Sequence, residues 1–344
     1  MNQKPLLPNL RTVSYADWLT GAASSESKKL CVTTSGYESR SIHWASQTLK
    51  ALARRDDLKF HTIGFDDFKT ALSRPDNDAF YASKSIDIRN CGSSRENVFL
   101  DDVESQLKEF IASADEKPIE VHVDYSCMPR RWYCALPSVL RNQLRPIDVA
   151  YFWYTPGRYK PTTYPTAGTS DFTVFSGRPT LSCPSRTHLF GLGFDRVRSQ
   201  AIWSVLDPHT LVCFYANPTV EAAYIKRVEQ DNREVLNAAA FTFTVPLGDF
   251  VACYSRIVAI VNQFRSQGDV IIVPDGPKPL VLASSLIPLT AENSLGIVCF
   301  HVAKRGLDRF TPVDVSAKCD PVGFAIGRQG TSEKTASNGE SPAE

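Results

Sequence analysis

The sequence predicts an α/β protein built as two tandem Rossmann-like halves, each a mostly parallel sheet in three layers, related by internal duplication. Three observations predict it. Short apolar, β-rich runs alternate with amphipathic helical stretches along most of the chain, the pattern of parallel strands joined by crossover helices. The run Val270-Ile271-Ile272-Val273 enters the turn Pro274-Asp275-Gly276-Pro277-Lys278 and then an apolar helical stretch to Leu289. An unbroken apolar run bounded by turn residues suits a strand buried on both faces. The order of elements also repeats, with matching turns.

Residues 1–28 read as a polar lead-in, with Tyr15 and Trp18 packing a short helix onto the body. Half 1 spans 29–155. It has strands at 29–34, 58–65, 118–125 and 147–154, and helices at 41–54, 97–114 and 129–144. Between 68 and 98 the pattern is ambiguous, with a helix near 66–72 and a strand near 84–88. Residues 156–187, rich in Pro, Gly, Thr and Ser, read as a linker or insertion carrying a short hairpin. Half 2 spans 188–311, with strands at 188–192, 210–215, 240–245, 270–273 and 295–303. Its helices fall at 198–206, 219–237, 249–267 and from 280 to 289. Residues 312–344 read as a disordered tail.

The duplication rests on three matches in the same order. Gly36-Tyr37-Glu38 matches Gly193-Phe194-Asp195, Pro129-Arg130 matches Pro277-Lys278, and Tyr154–Arg158 matches His301–Arg305. The bland alternative is that any two Rossmann-like units share strand–Gly–helix turns. If the halves pack about an approximate twofold, equivalent loops meet across one cleft, which suits a ligand with paired phosphates.

Composition narrows the function. A length of 344 residues exceeds one ordinary core. A net charge of +1, from 38 basic and 37 acidic residues, does not indicate nucleic-acid binding or coating of an acidic membrane. Nine cysteines without a CxxC pair point to a reducing cytosol, with neither disulfides nor structural zinc. No apolar run reaches membrane-spanning length and the amino terminus lacks a signal-peptide pattern, so the expected location is cytoplasmic.

Candidate site residues lie at strand ends, where open α/β sheets bind ligands. Asp275, Gly276 and Lys278 offer an anion site of free N–H groups, close backbone approach and a cation; the alternative is a plain turn with Lys278 in solvent. Arg130 and Arg131 can grip phosphate or carboxylate bidentately, or simply be solvated. Asp124 and Ser126 end a strand. Gly36 and Gly193 supply backbone donors. Tyr37 and Phe194 offer faces to a base, while Glu38 and Asp195 either accept ribose hydroxyls or cap helices. Arg40 and Arg198 can pair with those acids or with a ligand. Glu38, Asp124 and Asp195 are the catalytic candidates if the protein turns its ligand over. Gly191-Leu192-Gly193 opens like a dinucleotide fingerprint, yet the third glycine is missing and Asn217 stands where an acid would end the next strand. No P-loop, GxSxG, HExxH or Cys–His pairing occurs, so no cofactor and no metal are expected.

A strand followed by a small-residue turn and Lys, here Gly276-Pro277-Lys278, resembles the ligand loop of the CRISPR-associated Rossmann-fold (CARF) sensors. The duplicated arrangement resembles their fused relatives, the SAVED sensors. The resemblance implies a receptor for cyclic oligonucleotides or related nucleotide signals in bacterial antiviral defence, with its effector on a separate chain. The function expected is therefore a sensor of a nucleotide-like, phosphate-bearing ligand. The alternatives are a nucleotide-processing hydrolase using carboxylates in the cleft between the halves, and a partner-binding scaffold.

Overall fold

The computed structural model describes residues 9–52, 57–159, 168–180, 185–291, 293–305, 312–316 and 320–327. The first half and its flanks hold β1 (Asn9–Ser14), α1 (Tyr15–Ser24), β2 (Lys28–Ser35), a 3-10 turn (Ser39–Ile42), α2 (His43–Ala51), β3 (Leu58–Phe65), α3 (Arg74–Ser83), β4 (Ile88–Cys91), α4 (Glu96–Ser113), β5 (Ile119–Asp124), α5 (Arg130–Gln143), β6 (Val149–Tyr154), β7 (Gly157–Tyr159) and β8 (Gly168–Arg178). Then come β9 (Arg186–Gly191), α6 (Arg196–Leu206), β10 (Thr210–Ala216), α7 (Ala222–Asp231), α8 (Arg233–Ala238), β11 (Phe241–Val245), α9 (Phe250–Arg265), β12 (Asp269–Pro274), α10 (Lys278–Thr290), β13 (Ile297–Arg305), β14 (Val313–Val315) and β15 (Val322–Gly327).

Alternation along the central strands decides the layering, because successive side chains leave a strand on opposite faces. In the first sheet Leu30, Val32, Val121, Val123 and Phe152 join a core with α4 and α5, whereas Cys31, Tyr151 and Trp153 pack with α1, α2 and α3 on the other face. In the second, Leu189 and Ile272 face α9 and α10, while Phe190, Cys213 and Val273 face α6, α7 and α8. The cluster over α4, α5, α9 and α10 is continuous, so one apolar core runs through both halves.

The duplication is visible in the strand order. Sheet 1 runs β1-β15-β6-β5-β2-β3-β4 and sheet 2 runs β11-β10-β9-β12-β13-β8. Numbering the five parallel strands of each half in chain order, both sheets read 5-4-1-2-3. The strands that follow each half cross over to the other. After β6 the chain supplies β8, antiparallel to β13 of sheet 2; after β13 it supplies β15, antiparallel to β6 of sheet 1. Between them β7 and β14 pair with each other, Asp314 opposite Arg158. The halves thus exchange strands, β8 at the edge of sheet 2 and β15 within sheet 1.

Several sequence expectations are corrected here. The segment at 156–187 is no linker: β7 and β8 lie within it, and β8 is an edge strand of sheet 2 rather than part of a local hairpin. The supposed tail from 312 contains β14 and β15, and β15 lies inside sheet 1 between β1 and β6; residues 331–344 fall outside the described residues. Gly323 allows the fit, since a Cβ there would collide with the Trp153 ring. The lead-in carries β1 as well as the expected helix, on which Tyr15 and Trp18 are buried. Of the helix expected near 66–72 a 3-10 turn at Asp66–Phe68 forms, the longer helix is α3 at 74–83, and the strand expected near 84–88 is β4 at 88–91. Arg74–Ser83 shows no apolar stripe because it buries Arg74, Asn77 and Tyr81, with Arg74 bonded to Asp78 one turn on. The expected helix 219–237 breaks at Asn232, whose side chain turns to another loop. Among the described residues no helix is long and apolar enough to cross a membrane.

Candidate functional site

The carboxyl ends of both parallel sheets converge on one junction, and the two Pro-cation corners meet there. Pro129 precedes α5 and Pro277 precedes α10, both with extended backbone, which leaves Arg130 and Lys278 as the first helical residues. Arg130 crosses to the other half, donating Nη1 to Asp275 Oδ1 at 2.8 Å and Nη2 to the carbonyls of Asp275 (3.2 Å) and Gly276 (3.0 Å). Lys278 reciprocates, donating Nζ to the carbonyls of Met128 (2.7 Å) and Tyr125 (3.4 Å). Each corner therefore holds the other's backbone. The sequence brought these residues together correctly in space, but their donors are engaged across the junction.

A second reciprocal pair lies behind them. Arg198 is buried and donates Nε to both oxygens of Asp275 (2.9 and 2.8 Å) and Nη2 to the carbonyl of Val302 at 2.6 Å, on β13. Arg40, equally buried, donates Nε to Glu38 Oε2 at 2.5 Å and Nη1 to the carbonyl of Thr155 at 2.9 Å, just past β6. Both arginines tie the loop after the first strand of their half to the end of its fifth. Asp275 thus sits between two guanidiniums, a charge-assisted arrangement.

The two Gly loops are built alike. Gly193 lies so close to the carbonyl of Asp275 that a Cβ would come within 2.7 Å of it, and a Cβ on Gly36 would lie 3.2 Å from Cys127 Cβ. A buried asparagine holds each loop: Asn77 donates to the carbonyls of Gly36 (2.8 Å) and Glu38 (2.9 Å), Asn232 to that of Gly193 (2.8 Å). Sequence reasoning missed both, although each follows its glycine by a similar interval, 41 and 39 residues. Asp195 caps α6, accepting from the Arg198 N–H at 3.0 Å, while Glu38 makes no capping bond and pairs with Arg40. Burial raises the Tyr37 hydroxyl pKa. Phe194 meets Tyr159 and Tyr224 edge-on, with the Arg227 guanidinium over its ring. The ribbon of β7 and β14 spans both loops, since Tyr159 touches Phe194 and Ser39 donates to Val313 and Asp314.

Burial shifts several groups at the junction, Asp124 and Lys278 among them. Burial lifts the Asp124 carboxyl to about 6, against the N–H and hydroxyl of Ser126, which both donate to it. Burial lowers Lys278 to about 8. Lys278 forms no ion pair among the described residues; its ammonium lies 5.8 Å from the centre of the Tyr133 ring. The Tyr133 hydroxyl and Thr155 Oγ1 are buried without a hydrogen-bond partner among the described residues.

No protein-family model matches this chain, and no curated protein does either. Among solved structures, an N-terminal ketoreductase from a macrolactin assembly line aligns over 83% of this chain and 72% of that chain, at 10% identity and a TM-score of 0.23. Likeness at that level bears on neither the fold nor the chemistry of this chain.

Proposed function

We propose that the protein is a sensor that binds a nucleotide-like, phosphate-bearing ligand at the junction of its halves and reports to an effector on another chain. The observation that carries this reading is the convergence of Arg40, Arg130, Arg198 and Lys278 on a place whose carboxylates are Glu38, Asp275 and the part-protonated Asp124. A part-buried ammonium held by carbonyl oxygens and an aromatic face gains from a nearby anion. A phosphate drawing Arg130 or Lys278 away from the opposite corner also loosens the contact between the halves, which supplies a signal.

The test is the melting shift given by a panel of nucleotides, cyclic oligonucleotides included, on the wild type and on an Arg130→Ala, Lys278→Ala variant. A ligand at a hundred times its Kd stabilises by about 2.7 kcal/mol. That shift is expected for the wild type and absent in the variant; equal shifts in both discard the assignment. One observation favours a second reading, a hydrolase: an Asp124 carboxyl at about 6 is poised as an acid near neutral pH. Turnover of the panel, lost in Asp124→Asn or Glu38→Gln, would support it.

A further inference from the structure

We infer that Arg131 and His301 form an anion subsite of their own, for a phosphoryl group, on the flank of the junction between α5 and β13. It deepens the reading proposed above and rests on it only for the remainder of the ligand.

Arg131 is the second residue of α5 and is half-buried. Unlike Arg130 it bonds no carboxylate among the described residues. Its contacts are long and neutral: Nε lies 3.5 Å from His301 Nδ1, and Nη2 lies 3.3 Å from Thr173 Oγ1 on β8. A guanidinium has five N–H donors, so most of its capacity remains for a ligand. His301 sits on β13, half-buried, beside the ring of Phe175 at 4.9 Å. Since Nδ1 accepts from Arg131, the neutral ring carries its proton on Nε2, a second donor.

The charges around His301 are unbalanced. Arg130, Arg131 and Arg198 act on it, and the carboxylate acting on it is Asp275, which Arg130 and Arg198 already share. Burial, then these arginines, push the imidazole down to about 3, so it is neutral across the working pH range. Glu96 on α4 feels Arg131 electrostatically but forms no ion pair with it among the described residues, and burial raises its own carboxyl. Three guanidiniums against these two acids leave an excess of positive charge. A tetrahedral oxyanion fits it, because the planar fork of Arg131 matches two oxygens and the imidazole N–H a third.

The site is also single. Counted from Gly36 and Gly193, Val123 matches Ile272, and their neighbours Phe152 and Cys299 match in turn. His301 then corresponds to Tyr154, and the match of Pro129 with Pro277 sets Arg131 against Pro279. These two equivalent positions carry neither a guanidinium nor an imidazole, so the two halves hold the ligand unequally.

Calorimetric titration of the full chain with inorganic pyrophosphate at low salt tests this. Arg131→Ala and His301→Gln are each expected to weaken binding about tenfold to a hundredfold, the range for losing a charge-assisted contact. Arg131→Lys, which keeps the charge and loses the fork, should fall between. Lys69→Ala, at an exposed pair with Asp66, should bind as the wild type does. Bound pyrophosphate should also raise the His301 pKa in an NMR titration. No binding by the wild type, or binding by Arg131→Ala and His301→Gln as tight as the wild type's, overturns the inference. If pyrophosphate binds as expected while no nucleotide shifts the melting point, the subsite stands and the nucleotide reading falls. If nucleotides stabilise the wild type and Arg131→Ala alike, the reverse holds.

Discussion

Replacing Phe324 by Ala tests the exchange of strands between the halves. Phe324 is 1% exposed and lies on β15, within sheet 1. Its ring stacks on Phe152 of sheet 1 at 5.1 Å and on Phe250 of α9, from the other half, at 3.6 Å. Burying a Phe side chain is worth about 1.5–3 kcal/mol, and each stacked pair adds about 0.5–1.5. The expected loss is therefore about 3–5 kcal/mol, the range for Phe→Ala in a core. With an unfolding entropy of about 2.1 cal/mol/K per residue over 344 residues, the melting temperature should fall by about 4–7 °C. Scanning calorimetry should show one transition that moves as a whole, and Phe324→Leu should move it clearly less. Two transitions, with only one of them shifted, would refute the reasoning, because they would mean that the halves fold as separable units.

Two further outcomes follow from the junction. Asp124 has a folded pKa of about 6, above the usual 3.8, so the folded state binds more protons than the unfolded chain between those values and loses stability as pH rises through the window. The loss is on the order of 3 kcal/mol; Asp124→Asn should melt higher than the wild type at pH 8 and converge with it near pH 4, and parallel melting curves against pH would exclude this. Asn77→Asp and Asn232→Asp remove the donors that hold the Gly36 and Gly193 loops. Each should cost about 1–3 kcal/mol by chemical denaturation, and an unchanged denaturation midpoint would show that the loops hold themselves.

The parallel strands were legible because each is a short apolar run that ends at a turn residue. Strand β3 spans Leu58–Phe65, as its pattern indicates. The meeting of Pro129 with Pro277 was legible too, from a duplication that both sheets repeat in strand order. What the chain does not show locally is who pairs with whom. Val322–Gly327 is a six-residue run with a glycine at each end of its apolar part, and its partner β6 lies far back in the chain. Nor does composition reveal whether a cation is spent within the protein. Lys278 and Arg130 look like ligand groups in a strand-end turn, and only coordinates show that each grips the facing loop. Asn77 was hidden in a segment without clear periodicity, and Asn232 because a polar residue within a helical stretch normally reads as solvated.

The traded strands also constrain how such a chain arises. A single half that kept this pairing would place its last strand in the sheet of a sister molecule. Joining two copies end to end converts an assembly that depends on protein concentration into one that does not. It also frees the two copies to diverge, as Tyr154 in the first half and His301 at the matching place in the second illustrate.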